Sequence, residues 1–169
     1  MKDAYRQALA LRQVATEVGA TLIINDRCDL ALAVKADGVH LGQDDLPLAD
    51  ARQILGPEAI IGLSTHNAKQ VREAVVLQPD YIGFGPIFGT TTKADHDPVV
   101  GLEGLRAARA LTTLPIFAIG GITSQHVSDI TAAGADGVAV ISAILKAQDL
   151  EAAIRSFQPP PSTQARPSH

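Results

Sequence analysis

The chain has 169 residues, 46% hydrophobic and 19% charged, a composition that supports one globular domain with its own core. A net charge of −4, only 4 Phe and 2 Tyr, and no basic stripe argue against a nucleic-acid partner. The longest apolar runs fall well short of a membrane span and the segment Met1–Arg6 lacks the apolar core of a signal peptide. The lone Cys28 excludes an internal disulfide, so a reducing cytoplasm is the expected location.

In chain order, Asp3 to Val18 places Ala8, Leu9, Leu11, Val14, Ala15 and Val18 at helical spacing, and Gly19 is a stop signal. Thr21–Ile24 reads as a strand ended by Asn25-Asp26-Arg27, and Asp29 to Val34 as a short helix. Cys28, near that helix start, reads either as a nucleophile or as a small buried hydrophobe, the second being the commoner role. Gly38–Leu41 is a strand ended by Gly42-Gln43-Asp44-Asp45, and Pro47 to Leu55 a helix stopped by Gly56-Pro57. Ala59–Leu63 is a strand ended by Ser64-Thr65-His66, and Ala68 to Leu77 a helix. Asp80–Phe84 is a strand leading into Gly85-Pro86-Ile87-Phe88-Gly89-Thr90-Thr91-Thr92-Lys93. Leu102 to Leu111 is helical, Leu114–Ile119 a strand ended by Gly120-Gly121, and Ser124 to Ala133 a helix with Ser124 as N-cap and Gly134 as stop. Gly137–Val140 is a strand ended by Ile141-Ser142, and Asp149 to Phe157 a helix. Residues 158–169, rich in Pro and Ser, read as a disordered tail behind a single domain over 1–157.

The rhythm of apolar strand, loop and helix implies a parallel sheet covered by helices, either an open doubly wound sheet or a (β/α)8 barrel. The echo of Ala36-Asp37-Gly38-Val39 in Ala135-Asp136-Gly137-Val138 suggests a repeated βα unit. No G-x-G-x-x-G follows the first strand, which argues against a dinucleotide site. The polar and Gly-rich residues gather after the strands, where both parallel architectures put their sites.

Three consecutive threonines and Lys93 in a Gly-rich loop make a donor-rich surface suited to an anion such as phosphate, or an ordinary connection. Asp26 and Asp45 follow consecutive strands; they read either as helix caps or as ligands for Mg²⁺, a hard cation that takes carboxylate and phosphate oxygens. Gly120-Gly121 before a Ser-capped helix, with Ile141-Ser142 before another helix, is similar to a barrel phosphate site, or else is a pair of tight turns. His40 is expected to pack beside its strand end, and His66, His96 and His126 share no ligand spacing and are expected at the surface. Two classes of function follow from these residues alone, an enzyme or a non-catalytic phosphate-ligand binding module.

Taken together, Ile23–Arg27, Gly38–Gln43, Ile61–His66, Gly85–Lys93, Ile119–Ile122 and Val140–Ile144 resemble thiamine phosphate synthase, in order and with compatible spacing from about Ala8 to Phe157. The resemblance implies a (β/α)8 barrel of the TIM type that joins hydroxymethylpyrimidine diphosphate to hydroxyethylthiazole phosphate, releasing pyrophosphate with Mg²⁺ as cofactor. It implies Asp26 and Asp45 as Mg²⁺ ligands, and Asn25, Ser64 and Lys93 on the pyrimidine diphosphate, with Lys93 and Ser64 carrying the catalytic roles. Thr90, Thr91 and Thr92 would contact the thiazole phosphate, with Gly121, Ile141 and Ser142 on its phosphate group. The expected partners are those small molecules, with a homo-oligomer left open.

Six of the barrel's eight strands are recognisable, so the barrel is expected to be incomplete. The family's leading strand–helix–strand segment, and the basic Gln-Leu-Arg-x-Lys-like motif that ends its second strand, have no counterpart. A shortened form of a longer chain, a partner that supplies the missing strands, and a degenerate protein all fit this. The 169-residue chain alone is expected to have weak or no synthase activity. A related thiazole tautomerase, which needs no diphosphate or Mg²⁺ machinery, is the alternative within the same fold.

Overall fold

The computed structural model describes residues 2–89 and 98–158. The elements are α1 (Lys2–Val18), β1 (Ile23–Asn25), α2 (Cys28–Val34), β2 (Gly38–Leu41), α3 (Leu48–Leu55), β3 (Ile60–Thr65), α4 (Ala68–Leu77) and β4 (Tyr81–Phe84), followed by α5 (Gly101–Arg109), β5 (Ile116–Ile119), a 3₁₀ turn (Ser124–His126), α6 (Val127–Ala132), β6 (Gly137–Ala139), α7 (Ser142–Leu145) and α8 (Leu150–Ser156). Every expected strand and helix is present, with ends shifted by one or two residues, and α7 is an additional short helix where a loop was expected.

All six strands pair in parallel in the order β1-β2-β3-β4-β5-β6. This sequential order is that of a (β/α) barrel. A doubly wound sheet would reverse direction at a switch point, and none is present. Among the described residues β1 and β6 each have one neighbour, so the sheet is open.

The pleat explains the two faces. Val39, Leu41, Ile61, Leu63, Ile82, Phe84, Ile116 and Ala118 occupy alternate strand positions and form one buried cluster with Ala31, Ala51, Val71, Leu105 and Ile130 of the helices. Burying these side chains is the main stabilising term, on the order of 2 kcal/mol for each large one. The intervening positions point to the other face, which is less covered: Phe117 on β5 remains 37% exposed. At the β1 edge, α1 buries only Ala8 and Ala15, while Leu11, Val14 and Val18 of its expected apolar stripe face solvent. An open sheet leaves both its inner face and its edge helix short of partners, as the count of strands implied.

The Ala-Asp-Gly-Val echo has a structural cause at the amino-terminal ends of the strands. Asp37 Oδ2 accepts from the Leu22 N–H (2.7 Å) and from Arg12 of α1 (2.8 Å). Asp136 Oδ2 accepts from the Ile116 N–H (2.8 Å) and from Arg109 of α5 (3.1 Å). Asp80 repeats the device without the sequence echo, accepting from the Ile61 N–H (2.7 Å) and from Arg52 of α3 (2.8 Å). Each aspartate thus ties the start of one strand to the preceding strand and its helix. Conversion of Asp37 to Asn is expected to cost about 1 kcal/mol, since the side chain is 40% exposed and its ion pair is partly screened. The Leu22 N–H, then the Arg12 side chain, hold the Asp37 carboxyl below its ordinary value. A depressed folded pKa stabilises above the unfolded pKa and is lost as pH falls through the folded one. The stability gap between wild type and Asp37→Asn, followed by thermal unfolding, is therefore expected to be full above about pH 5 and to close as pH falls below about 4.

Candidate active-site rim

The carboxyl ends of the strands carry the candidate residues, and the β1 end holds the first pair. Asn25 closes β1, and its Nδ2 donates to Asp26 Oδ1 at 2.7 Å. Asp26 sits at φ 63°, a left-handed conformation that Asp and Asn tolerate better than most residues. Its N–H is bonded to the His40 carbonyl of β2 (2.8 Å), which carries the ladder one residue past the strand. The turn therefore lifts Asp26 out of the strand direction at the rim. Arg27 points elsewhere: its guanidinium is bidentate to Asp29 (2.7 and 2.5 Å), and that contact holds the Asp29 carboxyl down to about 2.

Asp45 lies in the loop after β2, where its Oδ2 accepts from the Gly42 N–H at 2.7 Å. It is near the segment after β1: burial, then Asp29, and also the charge of Asp45 push the Cys28 thiol up. Cys28 itself is a buried, unpaired core residue, the second of its two sequence readings. The helix-cap reading of the two aspartates is not met. Residue 27 is the N-cap of α2 and Pro47 that of α3, and neither helix start receives a side-chain hydrogen bond. No group of three metal-binding side chains occurs among the described residues. Two oriented carboxylates nonetheless suit Mg²⁺, which takes one or two carboxylates and completes its shell with water and substrate phosphate.

Ser64, near the end of β3, is held by a residue that sequence reasoning put aside. His40 Nε2 lies 2.9 Å from Ser64 Oγ and His40 Nδ1 lies 3.0 Å from the Tyr81 hydroxyl. The His40 and Tyr81 rings stack at 5.4 Å, and Tyr81 meets Phe117 edge-on at 5.3 Å. Gly62 makes room for this row, since a Cβ there would fall 2.1 Å from the Tyr81 ring. Burial, then the charge of Asp80, push the Tyr81 hydroxyl up to about 12, so it stays protonated at any ordinary pH. The Gln43 side-chain amide also donates to the Ser64 carbonyl (2.5 Å). His40 packs beside its strand end as expected, and it does so on the inner face. The signal was in its period: in Gly38-Val39-His40-Leu41 the apolar side chains alternate, and His40 falls on the opposite face.

The loop after β4 is anchored on both sides. Gly85 N–H donates to Thr65, Ile87 N–H to Ile119 (2.8 Å), Phe88 N–H to Gly120 (3.1 Å), and Val100 N–H to Pro86. His66 Nδ1 donates to the Gly85 carbonyl at 2.7 Å, and the His126 ring stacks on Phe88 at 4.0 Å. Both histidines were expected at the surface; both are half-buried braces of this loop. Thr90, Thr91, Thr92, Lys93 and His96 lie outside the described residues, as does the tail from residue 159.

Gly120 and Gly121, at φ 87° and 63°, turn the chain directly beneath that loop. A Cβ on Gly121 would lie 2.4 Å from the Gly89 carbonyl oxygen, so no larger residue permits this approach. The turn that follows begins one residue earlier than expected. Thr123, not Ser124, is its N-cap, in a reciprocal box with His126. The helices behind Gly121 and Ser142 are short, 6 and 4 residues, so their dipoles are weak and the binding power rests on backbone N–H groups and side chains. Gly89, Gly121, Thr123 and Ser142 line one cleft of about 260 Å³ between the loops after β4, β5 and β6; Ile141 flanks it and is 62% exposed. A larger hollow of about 460 Å³ lies at the opposite end of the strands, between α4 and the end of α5. Its one cation, Arg109, is committed to Asp136 and to the Thr112 and Leu114 carbonyls, so it is no candidate site.

Fold and rim together define a barrel-type α/β protein with two aspartates on one side of its carboxyl-terminal face and, on the other, a donor-rich cleft whose described lining holds no carboxylate. The family model described as thiamine monophosphate synthase matches residues 1–144. The chain is 50% identical over 152 residues to the thiamine-phosphate synthase of Chloroflexus aurantiacus, covering 90% of this chain and 70% of that protein. It is 51% identical over 149 residues to that of Moorella thermoacetica, covering 88% and 71%. The solved thiamine phosphate pyrophosphorylase of Pyrococcus furiosus superposes with a TM-score of 0.84 at 38% identity, over 92% of this chain and 74% of that one. The chain belongs to the thiamine monophosphate synthase family.

Proposed function

We propose that this chain is a thiamine phosphate synthase, a transferase that joins hydroxymethylpyrimidine diphosphate to hydroxyethylthiazole phosphate, giving thiamine phosphate and pyrophosphate in thiamine biosynthesis. The observation that carries the reading is the division of the rim: oriented carboxylates after β1 and β2, and a carboxylate-free cleft after β4, β5 and β6, in a member of this family. We read residues 1–157 as one barrel-type unit acting in the cytoplasm, where an unpaired Cys28 is at home. No helix of the described residues is long and apolar enough to cross a membrane.

In the proposed reaction the bond between the pyrimidinylmethyl carbon and the diphosphate oxygen breaks, and its electron pair leaves with pyrophosphate. The thiazole nitrogen then forms the new bond to that carbon with its own lone pair, so no general base is required. The group that gains charge is the departing pyrophosphate, and stabilisation there lowers the barrier more than it tightens the ground state. Asn25, Ser64 and Lys93 would hold the diphosphate, with the Ser64 hydroxyl orientated by His40. Asp26 and Asp45 would hold Mg²⁺, which when bound supplies positive charge beside the leaving group. Thr90, Thr91 and Thr92 would contact the thiazole phosphate, and Gly121, Ile141 and Ser142 its phosphate. Holding both substrates at one rim removes the entropy of a bimolecular encounter, a large share of the catalysis.

The test is a steady-state assay of the purified 169-residue polypeptide with both substrates and Mg²⁺. Thiamine phosphate and pyrophosphate are expected in equal amounts, with none when either substrate or Mg²⁺ is left out. Turnover of this polypeptide is expected to be far below that of the Moorella thermoacetica relative, because the inner face with Phe117 is open among the described residues. Turnover equal to the relative's would sink the incomplete-site reading. Absence of product, together with no calorimetric binding of either substrate, would sink the synthase reading itself.

A further inference from the structure

The cleft between the loops after β4, β5 and β6 contains a charged residue that the family resemblance leaves without a role. Lys146 immediately follows α7 and lines the cleft with Gly121 and Ser142. Its backbone N–H donates to the Ser142 carbonyl at 3.1 Å, so Ser142 and Lys146 are successive residues along one side of the same helical turn. Among the described residues no other charged side chain lines the cleft. Six arginines elsewhere are ion-paired: Arg12, Arg52 and Arg109 with the strand-start aspartates, Arg27 with Asp29, Arg106 with Glu103 and Arg155 with Glu151. Lys146 makes no ion pair or side-chain hydrogen bond among the described residues, and its side chain is exposed. A cleft of glycine backbone and hydroxyl, closed by one uncommitted ammonium, matches the charge and the acceptor oxygens of a phosphate monoester.

We infer that Lys146 binds the phosphate of the ligand in this cleft and is the residue that makes the site prefer the phosphorylated thiazole over its free alcohol. The inference rests on the reading of Gly121 and Ser142 as phosphate contacts. Backbone N–H groups and a hydroxyl can donate to either group, more strongly to the phosphate anion; the ammonium adds an ion pair that only the phosphate can use. Because the lysine is exposed, its contribution falls as salt rises.

Calorimetry on the wild-type chain and on Lys146→Gln and Lys146→Arg, with hydroxyethylthiazole phosphate, its alcohol and inorganic phosphate as separate titrants, tests this. Lys146→Gln is expected to weaken thiazole phosphate about tenfold, the scale of one charge-assisted hydrogen bond, while leaving the alcohol unchanged. Lys146→Arg is expected to retain most of the affinity, and the difference between wild type and Lys146→Gln is expected to shrink in high salt. Equal affinity of wild type and Lys146→Gln for thiazole phosphate would overturn the role of Lys146 and leave the synthase reading standing. Wild-type binding of inorganic phosphate but not of thiazole phosphate would overturn the choice of ligand, and with it the functional reading of the cleft. Matching circular dichroism of the three proteins keeps a folding defect from entering the comparison.

Discussion

Conversion of Asp26 to Asn is expected to abolish Mg²⁺-dependent binding of pyrophosphate while the fold stays intact. Asn keeps the side-chain size and tolerates the left-handed backbone at φ 63°, so the substitution removes charge with little backbone strain. Asp26→Ala would add a strain of about 1 kcal/mol at that conformation and confuse the two effects. A neutral amide is a poor ligand for a hard dication, and the loss is expected to reach about a hundredfold or more in pyrophosphate affinity measured at saturating Mg²⁺. Binding measured without Mg²⁺ should change little. Unchanged Mg²⁺-dependent binding, with unchanged circular dichroism, would return Asp26 to a structural role in the turn after β1.

Conversion of Gly121 to Ala is expected to remove the thiazole phosphate site and to lower stability by about 2 kcal/mol. The new Cβ would lie 2.4 Å from the Gly89 carbonyl and 2.7 Å from the Phe88 carbonyl, at a backbone φ of 63°. These are backbone atoms, held by the Phe88 N–H bond to Gly120 and by the stack of Phe88 on His126, so they cannot yield as a flexible side chain would. The loop after β4 must move, and a displacement of about an ångström costs about a hundredfold in a site built on position. Gly56→Ala, away from the cleft, is the control: it has a positive φ of 92° as well, and a Cβ there meets nothing within 4 Å. Calorimetry with thiazole phosphate and thermal unfolding should separate the two variants. Normal binding by Gly121→Ala would show that the close approach of the two loops is not required.

The expectation for Gly121 illustrates how much could be read before folding. Gly120-Gly121 after an apolar run marks a turn that needs positive φ, and the residues at 23–27, 61–66 and 119–122 mark a rim by falling after strands. The helix cap at Ser124 was misjudged by one residue, because Thr123 is as good an acceptor and the choice depends on where the chain leaves β5. The reading of Asp26 and Asp45 as caps or ligands could not be decided from spacing; both roles place an aspartate just ahead of a helix. His40 was undervalued because a histidine in an apolar strand is usually packed. Its bonds to Ser64 and Tyr81 join β2 to β3 and β4 across 24 and 41 residues of sequence.

The strand-start aspartates show the same division within one device. Asp37 and Asp136 are visible as an echo because the same three residues follow or precede them, yet Asp80 does the same work in a different local sequence. What repeats is a geometric relation between a strand start, its neighbour and an arginine on the preceding helix, and sequence records that relation only when neighbouring residues also repeat.

Sequence by itself determined the parallel α/β class, the six strands of the described residues and the family, because each depends on short-range periodicity or on motif order along the chain. Only the tertiary structure decided that the sheet runs in barrel order, that His66 and His126 brace the loop after β4, that His40 holds Ser64, and that Lys146 lines the cleft beside Ser142 with no ion-pair partner among the described residues. Those facts are relations in space between residues far apart in the chain. Local propensity carries no record of either.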